Sequence, residues 1–356
     1  MLNSETEKQK ELVNLRLKDR RVKHVKISEA QKIYDVYEFK QEIGHGAYGV
    51  VVMAIEKTNN KPWAIKIVHK NIVGVGKLVL IDREITILKA VNHPNIIHLE
   101  RIYESPKKIY MILELCQKEL FKVYLDRKPF PEKDCKKIIS QLADAISYLH
   151  KNDIVHRDVK MENILLVEPP EMSGNEYFIK LTDFGLSIFK TGVGIKSLMT
   201  DYCGTITYMP PEILQMKTYS ELCDVWAIGV ILFMLLYGKN PFMDKTDDAI
   251  AFKICNEEPD YESDIVSYEA IELLRSILKK DPVKRVTALQ ITENQWLNNK
   301  RNRGNKGKDQ NIVDMMKQFR NETGSAQQSR FVRGLSLLDG VLIDHSYTKL
   351  TRTPRY

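Results

Sequence analysis

The sequence predicts an α+β protein in two unequal parts: a small antiparallel β-sheet lobe carrying one helix, then a larger, mainly helical lobe. Three observations carry this. Between residues 37 and 116, apolar and β-branched runs alternate with short breaks, the pattern of strand, turn, strand. From residue 117 onward, apolar residues recur three or four apart instead. No period of about 20 to 50 residues recurs, which excludes a repeat solenoid.

Taken in order, residues 1–34 are charged and poor in aromatics, with a thin helical pattern through Leu12, Leu15 and Leu17. A partly helical, poorly ordered arm is expected there. Phe39 to Glu42, Val50 to Glu56 and Trp63 to Val68 read as strands, divided by a glycine loop and by Thr58 to Pro62. Leu78 to Val91 has helical spacing, and Pro94 ends it because proline cannot continue the ladder. Strands are expected near Ile97 to Tyr103 and Ile109 to Leu115, closing the small lobe at residue 116. In the large lobe, 117–297, helices are expected over Glu132 to Asn152, Leu222 to Gly238, Asp247 to Asn256, Tyr268 to Lys279 and Ala288 to Trp296. Residues 298–356 read as a basic linker and tail with a short helix near 311–320.

A hydrophobic share of 43% in 356 residues can close a sizeable core. The net charge of +7 is concentrated in basic runs at Lys18 to Lys26 and Lys300 to Lys308, outside the structured segment. Neither run has the interleaved aromatics of a nucleic-acid surface, so solvated arms and no nucleic-acid partner are expected. The five cysteines show neither paired CxxC spacing nor a secreted framework, which fits a reducing compartment. The first residues lack the apolar core of a signal peptide, and Ala227 to Tyr237 is too short to span a bilayer. A cytoplasmic location is expected, with nuclear access left open, and no membrane span.

Four segments in fixed order carry the chemistry. The first is Gly44-His45-Gly46-Ala47-Tyr48-Gly49. Glycine has no Cβ, so such a loop can lay backbone against phosphate oxygens. A dinucleotide site uses the same spacing, but there a helix follows; here Val50-Val51-Val52-Met53-Ala54 continues as a strand, which favours a hairpin lid over ATP. The second is Lys66, a fixed ammonium for the α and β phosphates. Glu84 on the following helix is expected to pair with it. Asp82, two positions earlier and about 160° round the helix, cannot face the cleft at the same time. The third runs from His156 to Asn163: Asp158 is the candidate catalytic base, and Lys160 brings positive charge to the migrating phosphoryl group. His156 reads as a packing residue. The fourth is Asp183-Phe184-Gly185; Asn163 and Asp183 offer the oxygen ligands that Mg2+ prefers.

Over residues 37–297 these segments resemble the eukaryotic protein kinase family, and Lys160 with Gly204-Thr205 resembles its serine/threonine branch. Trp63-Ala-Ile-Lys66, Ile96-Ile-His-Leu-Glu100, Asn152 to Asp158, Glu293 to Leu297 and Asn311 to Lys317 resemble the calcium/calmodulin-dependent kinase group. The resemblance implies a two-lobed protein kinase fold, ATP and Mg2+ as cofactors, and phosphoryl transfer to serine or threonine of protein substrates. It implies that Ile43, Val51, Ala64 and Leu165 sandwich the adenine, that Leu113 is the gatekeeper, and that Glu114 and Cys116 present hinge backbone. The glycine loop with His45, Ala47, Tyr48 and Val50 completes the nucleotide contacts. Asp224 would anchor the catalytic loop and Arg285 would pair with Glu212. The alternative is a catalytically weak pseudokinase scaffold that binds partners through its arms and tail; its usual signature is loss of one of these groups, and none is lost.

Departures from the family pattern carry further expectations. Pro210-Pro211-Glu212 and Ile206 alter the peptide-docking loop. Glu119 and Glu162 are candidates for reading basic side chains upstream of the target hydroxyl. By the same resemblance Asp201 stands where many relatives carry a threonine whose phosphate docks on the arginine. Its carboxylate favours the ordered loop if it reaches Arg157 shielded from water and is worth almost nothing if exposed. The expectation is activity without activation-loop phosphorylation, with Thr200 the phosphosite otherwise. Cys203 reads as an inert, half-buried thiol. Ile312, Met315 or Met316, and Phe319 share one helical face with Lys317 and Arg320 nearby, which suits a docking helix, an autoinhibitory contact or calmodulin.

Overall fold

The β-branched runs of the first third pair into one sheet in the computed structural model, which describes residues 22–29, 31–46, 49–167, 177–190, 199 and 203–298. All of these fall in the unit Met1–Gly307; the unit Lys308–Tyr356 lies outside the described residues. Its strands are β1 (Lys23–Lys26), β2 (Tyr37–Gly46), β3 (Gly49–Glu56), β4 (Pro62–His69), β5 (Leu99–Glu104) and β6 (Lys108–Glu114), in the order β1-β5-β6-β4-β3-β2. Neighbours are antiparallel except β1 and β5. The β2–β3 hairpin needs Gly49, because a Cβ there would sit 1.8 Å from the carbonyl oxygen of Ile67 on β4.

Residues 22–29 and 31–34 correct the expectation of a poorly ordered arm. Here β1 adds to the sheet edge and α1 (Gln31–Val36) follows, with Ile27 and Ile33 buried among Tyr37, Trp63, Tyr103 and Tyr110. Two isolated isoleucines are too few to show a period, and a parallel strand is joined by no hairpin turn whose residues could announce it.

Between β4 and β5 lies α2 (Lys70–Ala90), which starts eight residues before the expected Leu78. Gly74 and Gly76 weaken the helical signal in that stretch without breaking the helix. At its end the Val91 N–H closes on Ile87 O, and Pro94 follows.

The large lobe contains α3 (Leu120–Arg127), α4 (Glu132–Lys151), α5 (Pro211–Leu214), α6 (Leu222–Tyr237), α7 (Asp247–Asn256), α8 (Tyr268–Ile277) and α9 (Ala288–Thr292). It also holds β7 (Lys118–Glu119), β8 (Ile154–Val155), β9 (Ile164–Val167), β10 (Phe178–Leu181) and β11 (Ile188–Phe189). Every residue of α6 from Leu222 to Leu236 is buried, which is why its run from Ala227 to Tyr237 carries no polar stripe. Gly229 lets α8 approach, since a Cβ would fall 2.5 Å from Ile277 and 2.8 Å from Leu278. The last helix stops at Thr292 rather than at Trp296; the chain turns, and Trp296 donates its indole N–H to Glu132 at 2.7 Å. Among the described residues no helix is long and apolar enough to cross a membrane.

Candidate active site

Alternation along β4 sorts the small-lobe wall. Ile65 and Ile67 enter the outer core with Trp63, so Ala64 and Lys66 face the other way. Opposite them in register stand Val51, across from Lys66 on β3, and Leu113, across from Ala64 on β6. The expected adenine-side residues Val51, Ala64 and Leu113 therefore share a face with Lys66. Val50 does not: it pairs with Ile67 and packs on the outer core, so its side chain corrects the expected nucleotide contact. Ile43 is exposed, His45 ion-pairs with Glu42, and Gly44 has open space where a Cβ would point. Ala47 and Tyr48 lie outside the described residues.

Lys66 is 9% exposed and Glu84, from α2, is 2% exposed. The ammonium donates to both carboxylate oxygens of Glu84, at 2.6 and 2.8 Å. Burial pushes the Glu84 carboxyl up, Lys66 opposes this, and the nearby charge of Asp183 adds to it. Asp82 is exposed, as the helical geometry requires. At the hinge, the Glu114 carboxylate accepts from His98 N at 2.7 Å and ion-pairs with Lys180 at 2.8 Å. Burial pushes the Cys116 thiol up to about 12, so it is no nucleophile. Leu165 lies on β9 in register with Glu119 and Lys180.

The catalytic loop hangs from α6. The buried Asp224 accepts from His156 N at 2.9 Å, Arg157 N at 2.8 Å and the His150 ring at 2.9 Å. Burial would raise its carboxyl, yet the bonds from His150 and His156 hold it below the ordinary aspartate value. His156 packs on the buried Phe184 at 4.9 Å and reaches Thr182 O at 3.2 Å, a packing role. Asp183 adopts φ +65°, a left-handed conformation uncommon for a non-glycine residue, and its carboxylate accepts from Gly185 N at 3.3 Å.

Asp158 is the hub. One carboxylate oxygen meets Lys160 at 2.8 Å and Asn163 at 3.0 Å; the other accepts from the Thr205 hydroxyl at 3.3 Å. Lys160 also donates to Thr205 at 3.1 Å. The Asn163 amide nitrogen is directed at Asp158, onto both its backbone oxygen at 2.8 Å and its carboxylate. That leaves the Asn163 amide oxygen and the Asp183 carboxylate as the oxygens that would hold a magnesium ion, and a hard oxygen donor set fits that ion. Sequence reading did not place Thr205 against Asp158, because 47 residues separate them and only the fold closes the gap. The expectations on Thr200, Asp201 and 311–320 fall outside the described residues. Arg157 directs its Nε to Leu186 O at 2.6 Å and its Nη1 to the Tyr219 hydroxyl at 3.3 Å.

Residues 37–297 match the protein kinase domain, and the chain belongs to that family. Members of this family generally use ATP and Mg2+. Among known proteins, the chain is similar to serine/threonine-protein kinase 33 of Mus musculus, 39% identical over 315 residues, 87% of this chain and 64% of that protein. It is also similar to calcium/calmodulin-dependent protein kinase type 1B of Rattus norvegicus, 37% identical over 273 residues, 76% of this chain and 77% of that one. The match to serine/threonine-protein kinase 33, from Mus musculus and from Bos taurus alike, thus spans less than two thirds of those relatives' length. These relatives agree with the place in the calcium/calmodulin-dependent kinase group that the sequence implied.

Proposed function

We propose that the chain transfers the γ-phosphoryl group of ATP to serine or threonine hydroxyls of protein substrates, with basic residues upstream of the target. The observation that carries this reading is the hydroxyl of Thr205, 3.3 Å from Asp158 Oδ1 and 3.1 Å from Lys160. In this contact the carboxylate of Asp158 accepts from an aliphatic hydroxyl, the interaction a substrate serine or threonine requires of the base. Asp158 orients and accepts the hydroxyl proton, while Lys160 holds positive charge beside the transferred group. Lys66, fixed by Glu84, pairs with the nucleotide phosphates. Asn163 and Asp183 would hold Mg2+, which neutralises phosphate charge when bound.

Glu119, half-buried and 2.9 Å from Lys122, and Glu162, half-buried beside the Tyr208 hydroxyl at 3.4 Å, are the carboxylates assigned to basic substrate side chains. The name of the type 1B relative supports a calmodulin response through 311–320, checked by rate with and without calcium-loaded calmodulin. A peptide-library phosphorylation assay tests the main reading. The unaltered chain should label serine or threonine peptides, and Asp158→Ala should lower the rate by about 10²- to 10⁴-fold. No labelling by the unaltered chain would leave the scaffold alternative standing, and equal labelling by both would remove Asp158 as the base.

A further inference from the structure

Strand β1 lies outside the matched kinase domain, which begins at residue 37, yet it is built into the small lobe. Lys23, His24, Val25 and Lys26 register against Arg101, Ile102, Tyr103 and Glu104, and Ile27 N donates to Glu104 O at 2.8 Å. Behind it, buried Ile27 and Ile33 anchor the segment in the outer core.

What β1 adds is a bridge to α2, the helix that carries Glu84. The His24 ring sits between Glu104 on β5, 2.8 Å from Nε2, and Lys89 in the last turn of α2, 3.0 Å from Nδ1. An ammonium can only donate, so Nδ1 accepts from Lys89 and Nε2–H donates to the Glu104 carboxylate. Glu104 also accepts from Lys70, in the first turn of α2. Both ends of α2 are thereby tied to β5, one directly and one through β1. Lys89 lies five residues beyond Glu84, about 7.5 Å along the axis and roughly 140° round it. A rigid helix held at Lys89 is held in rotation, and rotation decides whether Glu84 faces Lys66.

We propose that residues 22–29 are a built-in strap on α2, and that His24 is a positioning residue which keeps Glu84 on Lys66. The inference rests on the reading of Lys66 and Glu84 as the phosphate clamp. The strap acts at a distance from the nucleotide, so its loss weakens ATP engagement more than turnover.

The test uses the full chain. His24→Ala should raise the KM for ATP about fivefold with kcat changed less than about twofold, as expected for an interaction felt mainly in binding. Lys89→Met, which leaves the β1 backbone untouched, should do the same from the helix side. His24→Gln keeps a donor for Glu104 and an acceptor for Lys89, and should restore most of the affinity. In a Glu84→Ala background, His24→Ala should add nothing to the KM, because its effect passes through the residue already removed. Equal effects in both backgrounds, or an unchanged KM in His24→Ala, overturn the proposal. Hydrogen exchange separates this from the function itself. His24→Ala should speed exchange of the amides of Glu84 to Ala90 about tenfold whether or not nucleotide is used, and unchanged exchange refutes the strap. An unaltered chain that binds no Mg-ATP refutes the phosphoryl-transfer reading instead.

Discussion

Two buried ion pairs, one in each lobe, show the difference between a scaffold contact and a working one. In the large lobe Arg285 grips Glu212 with two parallel bonds at 2.7 and 3.0 Å. Its remaining donors are satisfied by Leu222 O at 2.9 Å and Lys279 O at 3.0 and 3.2 Å. That fork has no capacity left, and its planar geometry suits permanence. In the small lobe a single ammonium, Lys66, faces Glu84, whose carboxyl is pushed up by burial and raised further by Asp183. An ammonium is a point charge on a flexible stem, so it can turn toward an incoming phosphate while still bonded to Glu84. Burial alone does not mark a site; what differs here is a rotatable point charge with a second carboxylate, Asp183, nearby, against a planar fork.

The sharpest way to break this contrast is to remove one cation from each pair. Arg285→Ala strands the Glu212 carboxylate in the core and should cost about 3–5 kcal/mol of stability, read by urea unfolding. Lys66→Met should lower phosphoryl transfer by about 10²- to 10³-fold while leaving the unfolding midpoint nearly unchanged, because Glu84 can take up a proton. If Lys66→Met unfolds the protein as readily as Arg285→Ala, the two pairs do the same job and the contrast fails.

A smaller effect separates two buried carboxyls by pH. Asp224 sits below the ordinary aspartate value, so its contribution is complete above about pH 3.9 and is lost as pH falls through its lower native value. Asp224→Asn should cost about 1–3 kcal/mol at neutral pH, with the gap from the unaltered chain closing in acid. Glu84 runs the opposite way. Its raised native value means that its contribution is present below 4.5 and is lost as pH rises through that native value. Urea unfolding followed between pH 3 and 8, roughly the span of the ordinary carboxyl and histidine values, should therefore show Asp224→Asn and Glu84→Gln with opposite pH slopes relative to the unaltered chain. Smallest is Glu162→Gln, expected to lower kcat/KM for arginine-containing peptides about fivefold with little change for neutral ones, an exposed-to-half-buried charge effect of about 1 kcal/mol. Equal loss on both peptide sets would remove Glu162 from substrate recognition.

Much of this was legible in the sequence for a physical reason: the groups assigned to phosphate and metal sit in short local segments whose spacing survives as a pattern. Glycine spacing followed by a strand marked the hairpin, and apolar residues three or four apart marked α6. Segment 23–36 was not legible, since two isoleucines and a parallel edge strand leave no local period. The full length of α2 was hidden by Gly74 and Gly76, which lower helix propensity within that stretch. The outward face of Val50 came from sheet register, which one strand read alone does not specify. Thr205 beside Asp158, and Lys180 beside Glu114, are meetings of distant segments that only the closed fold produces.

The most direct measurement is a calorimetric titration of Mg-ATP into the full chain, Lys66→Met and Arg285→Lys under conditions where all three are folded. The account requires one nucleotide per unaltered chain, affinity weakened at least about tenfold in Lys66→Met, and affinity kept in Arg285→Lys. No uptake by the unaltered chain, or equal affinity in the unaltered chain and Lys66→Met, would contradict it.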